Sequence, residues 1–277
     1  MSEKFNYKSP LAPYMKEFVG LKTSSGVSAL RTKWILLEID KFYMDNGITV
    51  PTVTGEIVSK WRKTRVNDAS NTIYTKYSVW NQLARFMCRL GMECYITPLP
   101  EYRNSRTSFT PYIFTREQMS SIMKKSGELR LHDRHMTCSI NVMPALVRLL
   151  YSTGLRISEA LSLRNGDVNL NESYIIIRKS KNGDERIVPL GDTMKSVLLQ
   201  FLSYRDRMPI AGLSNPDSFV FVKMDGTPCA CGTIYTWFRR ILYQCGIPHI
   251  GNHRGPRVHD IRHTFAVHSL GKWLKQV

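Results

Sequence analysis

A chain of 277 residues with 43% apolar side chains has enough length and apolar content for about two ordinary cores. Its 39 Lys and Arg against 22 Asp and Glu leave a formal net charge of +17, a field that draws polyanions, nucleic acid first. The six cysteines lack the spacing of a disulfide framework, the first residues lack the apolar run of a signal peptide, and no stretch reaches the roughly 18–20 apolar residues of a membrane span. A secreted or membrane-spanning protein is set aside, and a cytoplasmic location is expected.

Residues 11–91 read as helical throughout. Apolar side chains recur at helical spacing in Tyr14-Met15-Phe18-Val19, Leu30-Trp34-Leu37-Phe42, Val53-Ile57-Val58-Trp61 and Tyr74-Tyr77-Trp80-Leu83-Phe86-Leu90, which predicts four short helices. Gly26, Gly47 and Gly91 read as stop signals, and Asp68 with Ser70 as an N-cap for the fourth helix. Lys60, Arg62, Lys63, Arg65, Lys76, Arg85 and Arg89 lie on the third and fourth helices among aromatic residues. On pattern alone these cations are equally a solvated face or a phosphate-contacting one. Residues 5–95 are expected to form this helical domain. Residues 96–111, with Thr-Pro-Leu-Pro-Glu and the start of Ser-Phe-Thr-Pro-Tyr, read as a linker.

From residue 112 to 277 the pattern mixes helix and strand. It predicts a helix near 116–125, an apolar helix near 139–152 ending at Gly154, and a short helix from about 157 to 163. Strands over Tyr174–Arg178 and Glu185–Val188 follow, with Asn182-Gly183 between them as a tight-turn dipeptide, since both central positions need positive φ. Asp192 is expected to cap a helix running to about Met208, Phe219–Val222 to form a strand, Thr233–Cys245 a helix, and a last helix to begin near His259. The fold class is α+β, mostly helical. Charge is spread over both parts: residues 1–110 carry 16 basic and 9 acidic side chains (+7), and 111–277 carry 23 and 13 (+10). Two basic parts suit a protein that grips a duplex from both sides.

The chemistry concentrates in Thr153-Gly-Leu-Arg156-Ile-Ser-Glu159 and His259-Asp-Ile-Arg262-His-Thr-Phe265. A phosphodiester under attack builds negative charge on its non-bridging oxygens, and an arginine fork meets two such oxygens at once. The i, i+3 spacing of His259 and Arg262 places imidazole and guanidinium on one helix face. His263 and His268 fall on other parts of that helix and carry less weight. A metal reading is weak. His249, His253, His259 and His263 share a segment, but Cys229 and Cys231 are one residue apart, where zinc sites use Cys-x₂₋₄-Cys, so no metal is expected.

These two motifs, with Lys181 and Glu-Arg-Ile-Val-Pro-Leu between them, resemble the tyrosine recombinases, the phage-integrase family. The resemblance implies a helical core-binding (SAM-like) domain followed by a mixed α/β catalytic domain of the DNA breaking-rejoining type. It implies phosphate-clamping roles for Arg156 and Arg262, proton transfer for His259, and a supporting role for Glu159. Lys181 takes the part of the lysine that protonates the departing 5′-oxygen, on the alignment of Ile-Val-Pro-Leu. Lys179 shares its strand face and is the competitor for that part and, failing it, a DNA contact. A type IB topoisomerase shares the clamp chemistry but fits the short hairpin less well. The implied partners are double-stranded DNA and further copies of the chain in a tetrameric synapse, in a bacterial cytosol or nucleoid, with no metal or nucleotide cofactor. In the family the tyrosine nucleophile follows the His-x-x-Arg motif at a distance that falls beyond Val277. No tyrosine follows Tyr243, and Tyr235 and Tyr243 read as helix-packing residues. The 277-residue chain is therefore expected to bind DNA without forming the covalent link. The alternative is a non-catalytic DNA-binding remnant or regulator at recombination sites.

Overall fold

The computed structural model describes residues 5–26, 28–101, 110–130, 138–178, 185–247 and 255–274. The chain divides into two compact units, residues 1–108 and 109–277. Its class is α+β and mostly helical, with one small sheet among the described residues, in agreement with the sequence reading.

In the first unit, α1 (Ala12–Ser24), α2 (Leu30–Asp45), α3 (Gly55–Lys63) and α4 (Ser70–Arg89) enclose an aromatic core. Trp61, Trp80 and Tyr43 are fully buried, and the rings of Trp61 and Trp80 meet edge-on at 5.7 Å. Edge contact of this kind sets the positive ring rim against the negative face. The Tyr43 hydroxyl, taken out of water, donates to the Thr52 carbonyl at 2.7 Å, and burial pushes its pKa up. Gly26, Gly47 and Gly91 sit just past the ends of α1, α2 and α4 at positive φ, as stop signals require. Helix α3 is capped by Thr54, whose hydroxyl accepts from Ile57 N at 3.2 Å. Helix α4 departs from expectation. Its N-cap is Ala69, which makes no side-chain cap bond, and the Asp68 carboxylate is taken instead by the Lys76 ammonium at 2.7 Å.

The second unit opens with α5 (Arg116–Glu128), held by a reciprocal cap: Gln118 N donates to Thr115 Oγ1 at 3.1 Å and Thr115 N to Gln118 Oε1 at 3.0 Å. A 3₁₀ turn over Ile140–Val142 leads into α6 (Met143–Thr153), the spine of the core, with Met143, Ala145, Leu146, Val147, Leu149 and Leu150 all buried. Next come α7 (Ile157–Leu161) and an antiparallel sheet of β1 (Val168–Asn169), β2 (Tyr174–Ile177) and β3 (Arg186–Pro189) in that order. The β2–β3 register runs from Tyr174 opposite Pro189 to Ile177 opposite Arg186. The Asn182-Gly183 turn lies outside the described residues.

The chain closes with α8 (Asp192–Arg205), α9 (Cys231–Gln244) and α10 (Val258–Trp273). Asp192 is the first residue of α8 rather than its cap, and Gly191 occupies the N-cap without a side-chain bond. The helix ends at Arg205, short of Met208, where the buried Arg205 guanidinium turns inward to Asn165 Oδ1 at 2.9 Å and the Val220 carbonyl at 3.0 Å. Phe219–Val222 forms no strand. Two isolated bridges, Arg164 with Phe219 and Val222 with Pro228, satisfy that stretch. Among the described residues no helix is long and apolar enough to cross a membrane.

Candidate functional site

The site is assembled where α6 ends. Gly154 terminates that helix at φ +63°, the left-handed conformation that favours glycine, with its N–H on the Leu150 carbonyl at 3.0 Å. A Cβ at this position would lie 2.3 Å from the Phe265 ring, so the missing side chain is also what lets α10 pack against the turn. The Gly154 carbonyl accepts from Arg262 Nη1 at 2.7 Å, a bond spanning 108 residues. Thus the glycine of the first motif seats the arginine of the second.

Two residues on, Arg156 takes the N-cap position of α7 with an extended backbone, φ −70° and ψ 146°. Its N–H donates to Glu159 Oε2 at 3.0 Å and its Nη1 to Glu159 Oε1 at 2.8 Å. Glu159 is only 2% exposed, and the same carboxylate accepts a second fork from Arg186, at 3.2 Å on Oε1 and 2.7 Å on Oε2. Burial works to raise the Glu159 pKa, but the hydrogen bonds from Arg186 and Arg156 outweigh it and hold the carboxyl at about 2. Arg262 completes the cluster. Burial and repulsion from Arg156 lower its pKa from the ordinary guanidinium value, with Glu159 opposing and Arg186 adding to the shift.

The start of α10 is fixed by the buried Asp260, which accepts from Arg257 N at 2.7 Å, and by the buried Thr264, whose hydroxyl donates to the Asp260 carbonyl at 2.8 Å and accepts from Phe114 N at 3.0 Å. His259 shares the field of the cluster. Burial, then His263, Arg262 and Arg156 against Asp260, lower its pKa below the usual imidazole value, so it is neutral at pH 7. Its ring meets that of His263 edge-on at 5.0 Å. His268 lies elsewhere, with Nδ1 2.8 Å from the Tyr151 hydroxyl. Two guanidinium groups thus bond one carboxylate, and a third, that of Arg262, stands in the same field. The surplus positive charge has an imidazole with a lowered pKa beside it.

A family model for the phage integrases matches residues 113–272. The chain belongs to the phage integrase family, the tyrosine recombinases. It is 26% identical over 263 residues to y4rB of Sinorhizobium fredii, described as an integrase/recombinase, covering 94% of this chain and 81% of that protein. It is 30% identical over 154 residues to the tyrosine recombinase XerD of Oceanobacillus iheyensis, covering 55% of this chain and 50% of XerD. The chain therefore spans only about half the length of some curated relatives it matches. The fold is shared with the XerH site-specific recombinase bound to difH substrate in a pre-cleavage complex, at a TM-score of 0.67 and 17% identity over 96% of this chain and 88% of that one.

Within this member of the phage integrase family, the site residues expected from sequence fall unequally. Arg156, Glu159, Arg262 and His259 converge as described, whereas Lys179 and Lys181 lie outside the described residues, as do His249 and His253. Among the described residues no three His, Cys, Asp or Glu side chains converge as metal ligands. Two members of the cluster were missed from sequence. Arg186 stood in the stretch used to locate Lys181, but its pairing with Glu159 joins residues 27 apart that no helical or strand spacing links. The Gly154 carbonyl carries no sequence signal at all, being backbone.

On the first unit, Lys60, Lys63, Arg85 and Arg89 are exposed, and Arg85 Nε donates to Asn81 Oδ1 at 2.8 Å. Arg62 is half-buried and donates to the Arg65 carbonyl at 2.8 Å, while Arg65 pairs with Glu38 at 2.8 Å. Lys76 differs from these: it is buried, with its ammonium 2.7 Å from both Glu38 and Asp68, because an amine on an inward face of α4 must meet carboxylates there.

Proposed function

We propose that this polypeptide binds double-stranded DNA and supplies the phosphate-activating part of a site-specific recombinase. The observation that carries the reading is that Arg156 and Arg186 share the Glu159 carboxylate while Arg262, seated on the Gly154 carbonyl, stands in the field of all three. Arg156 and Arg262 meet the non-bridging oxygens of the scissile phosphate and stabilise the charge that develops during attack, an effect for which loss of one donor costs on the order of 10²–10³ in rate. His259, neutral before DNA arrives, accepts a proton from the attacking group, and Lys181, with Lys179 as competitor, delivers one to the departing 5′-oxygen. In the full reaction a tyrosine would form a 3′-phosphotyrosyl link that stores the energy of the broken bond, so the scheme calls for neither metal nor nucleotide.

These 277 residues hold no tyrosine after Tyr243. On α9, burial holds the Tyr235 hydroxyl above the ordinary phenol range, the reverse of what an attacking phenolate needs. In this scheme the 277 residues supply the DNA grip and the phosphate clamp, and further copies of the chain gather on the same DNA. Anisotropy of a fluorescent duplex tests this: binding that weakens steeply with salt is expected, and binding that ignores salt would overturn the reading.

A further inference from the structure

Resting on that reading, we propose that Arg186 is a positioning residue: by gripping both oxygens of Glu159 it sets the pose of Arg156 and ties the end of the β2–β3 pair to α7. Among the described hydrogen bonds, Arg186 commits both terminal nitrogens to Glu159, whereas Arg156 commits Nη1 to Glu159 and Arg262 commits Nη1 to the Gly154 carbonyl. A guanidinium that turns the fork of its two terminal nitrogens to a carboxylate cannot turn that same fork to a phosphate. One partly spent keeps donors for it.

The register strengthens the assignment. Arg186 pairs with Ile177 on the last described rung of the strand pair, and in sequence the stretch between them carries Lys179 and Lys181. The fork on Glu159 therefore anchors the strand ends that flank both candidate acid lysines to the helix that starts at Arg156. A second reason is electrostatic. Glu159 is faced by Arg156, Arg186 and Arg262, and it shares a cavity of about 200 Å³ with Arg164, Asp167 and Arg178, of which Arg178 and Asp167 pair with each other. Arg186 is the largest of the influences that keep Glu159 ionised against burial. Without it Glu159 takes up a proton more readily, and Arg156 loses its carboxylate partner.

The test uses the full 277-residue chain as wild type, Arg186→Met, Arg186→Lys and Glu159→Gln, with a fluorescent duplex read by anisotropy and the Glu159 carboxyl read by ¹³C NMR. Wild-type affinity should not fall between pH 7 and pH 5. In Arg186→Met the carboxyl should titrate at higher pH and affinity should drop about tenfold over that interval, the scale of a charge-assisted hydrogen bond. Its salt slope at pH 7 should stay that of wild type. Arg186→Lys should fall between the two, and it serves in place of Arg186→Met if the latter does not fold. Glu159→Gln should show the loss at both pH values, and adding Arg186→Met to it should cost nothing more. A salt slope reduced by about 0.9 in Arg186→Met would make Arg186 a phosphate contact and overturn the proposal, as would a Glu159 titration unmoved by the substitution. If wild type fails to bind DNA, the functional reading falls while the carboxyl titration still decides the role of Arg186.

Discussion

The two units use the same charged side chains to opposite ends. Beneath α4, Lys76 and Arg65 meet Glu38 and Asp68, two cations against two carboxylates. At the end of α6, Arg156 and Arg186 bond Glu159 and Arg262 stands in the same field, three cations against one. The first cluster is neutral by its own count and holds helices together. The second leaves two positive charges in excess of its carboxylate. A basic residue in this protein is read correctly only once the carboxylates within reach have been counted.

Several substitutions would break or sharpen that contrast. Lys76→Met leaves Glu38 and Asp68 short of a partner in a largely buried place and should destabilise the chain by about 3 kcal/mol in urea unfolding, with no change in the salt slope of DNA binding. A lowered slope would return Lys76 to the DNA face. Gly154→Ala forces a Cβ onto the Phe265 ring at a positive-φ position, and a loss of about 2–3 kcal/mol with disturbed seating of Arg262 is expected from thermal melts paired with binding.

Arg262→Ala should do the reverse of Lys76→Met. Folding should change little, while affinity falls roughly tenfold and the salt slope drops by about 0.9. On the acid side, the Glu159 pKa is depressed from 4.5 to about 2, so its contribution to stability is whole above the unfolded value and is lost as pH falls through the folded one. Acid titration followed by circular dichroism should show that loss between about pH 4.5 and pH 2, and Glu159→Gln should remove this component. The smallest effect belongs to the exposed Lys63, where Lys63→Ala should weaken binding by no more than about threefold. An effect as large as that of Arg262→Ala would move the main anion site to the first unit.

Much of the architecture was legible because its signals are local. Gly47 and Gly154 act through the backbone within a few residues of themselves, and helical apolar spacing needs only the chain's own periodicity. The failures share one cause. Asp68 was read as a cap and Lys76 as a surface cation, although the two are partners of each other, eight residues apart. At the end of α8, Arg205 bonds Asn165, 40 residues before it, and Val220, 15 after it, which no cap signal announces.

By itself the sequence determined the helical first part, the α+β class and the family, whose resemblance implied a supporting role for Glu159 beside Arg156. Only the tertiary structure decided that Arg186 shares Glu159, that the Gly154 carbonyl holds Arg262, and that Lys76 is consumed in a core. Helix periodicity and capping depend on neighbours in the chain, but the fate of a charge depends on which oppositely charged groups the fold brings within about 3 Å of it.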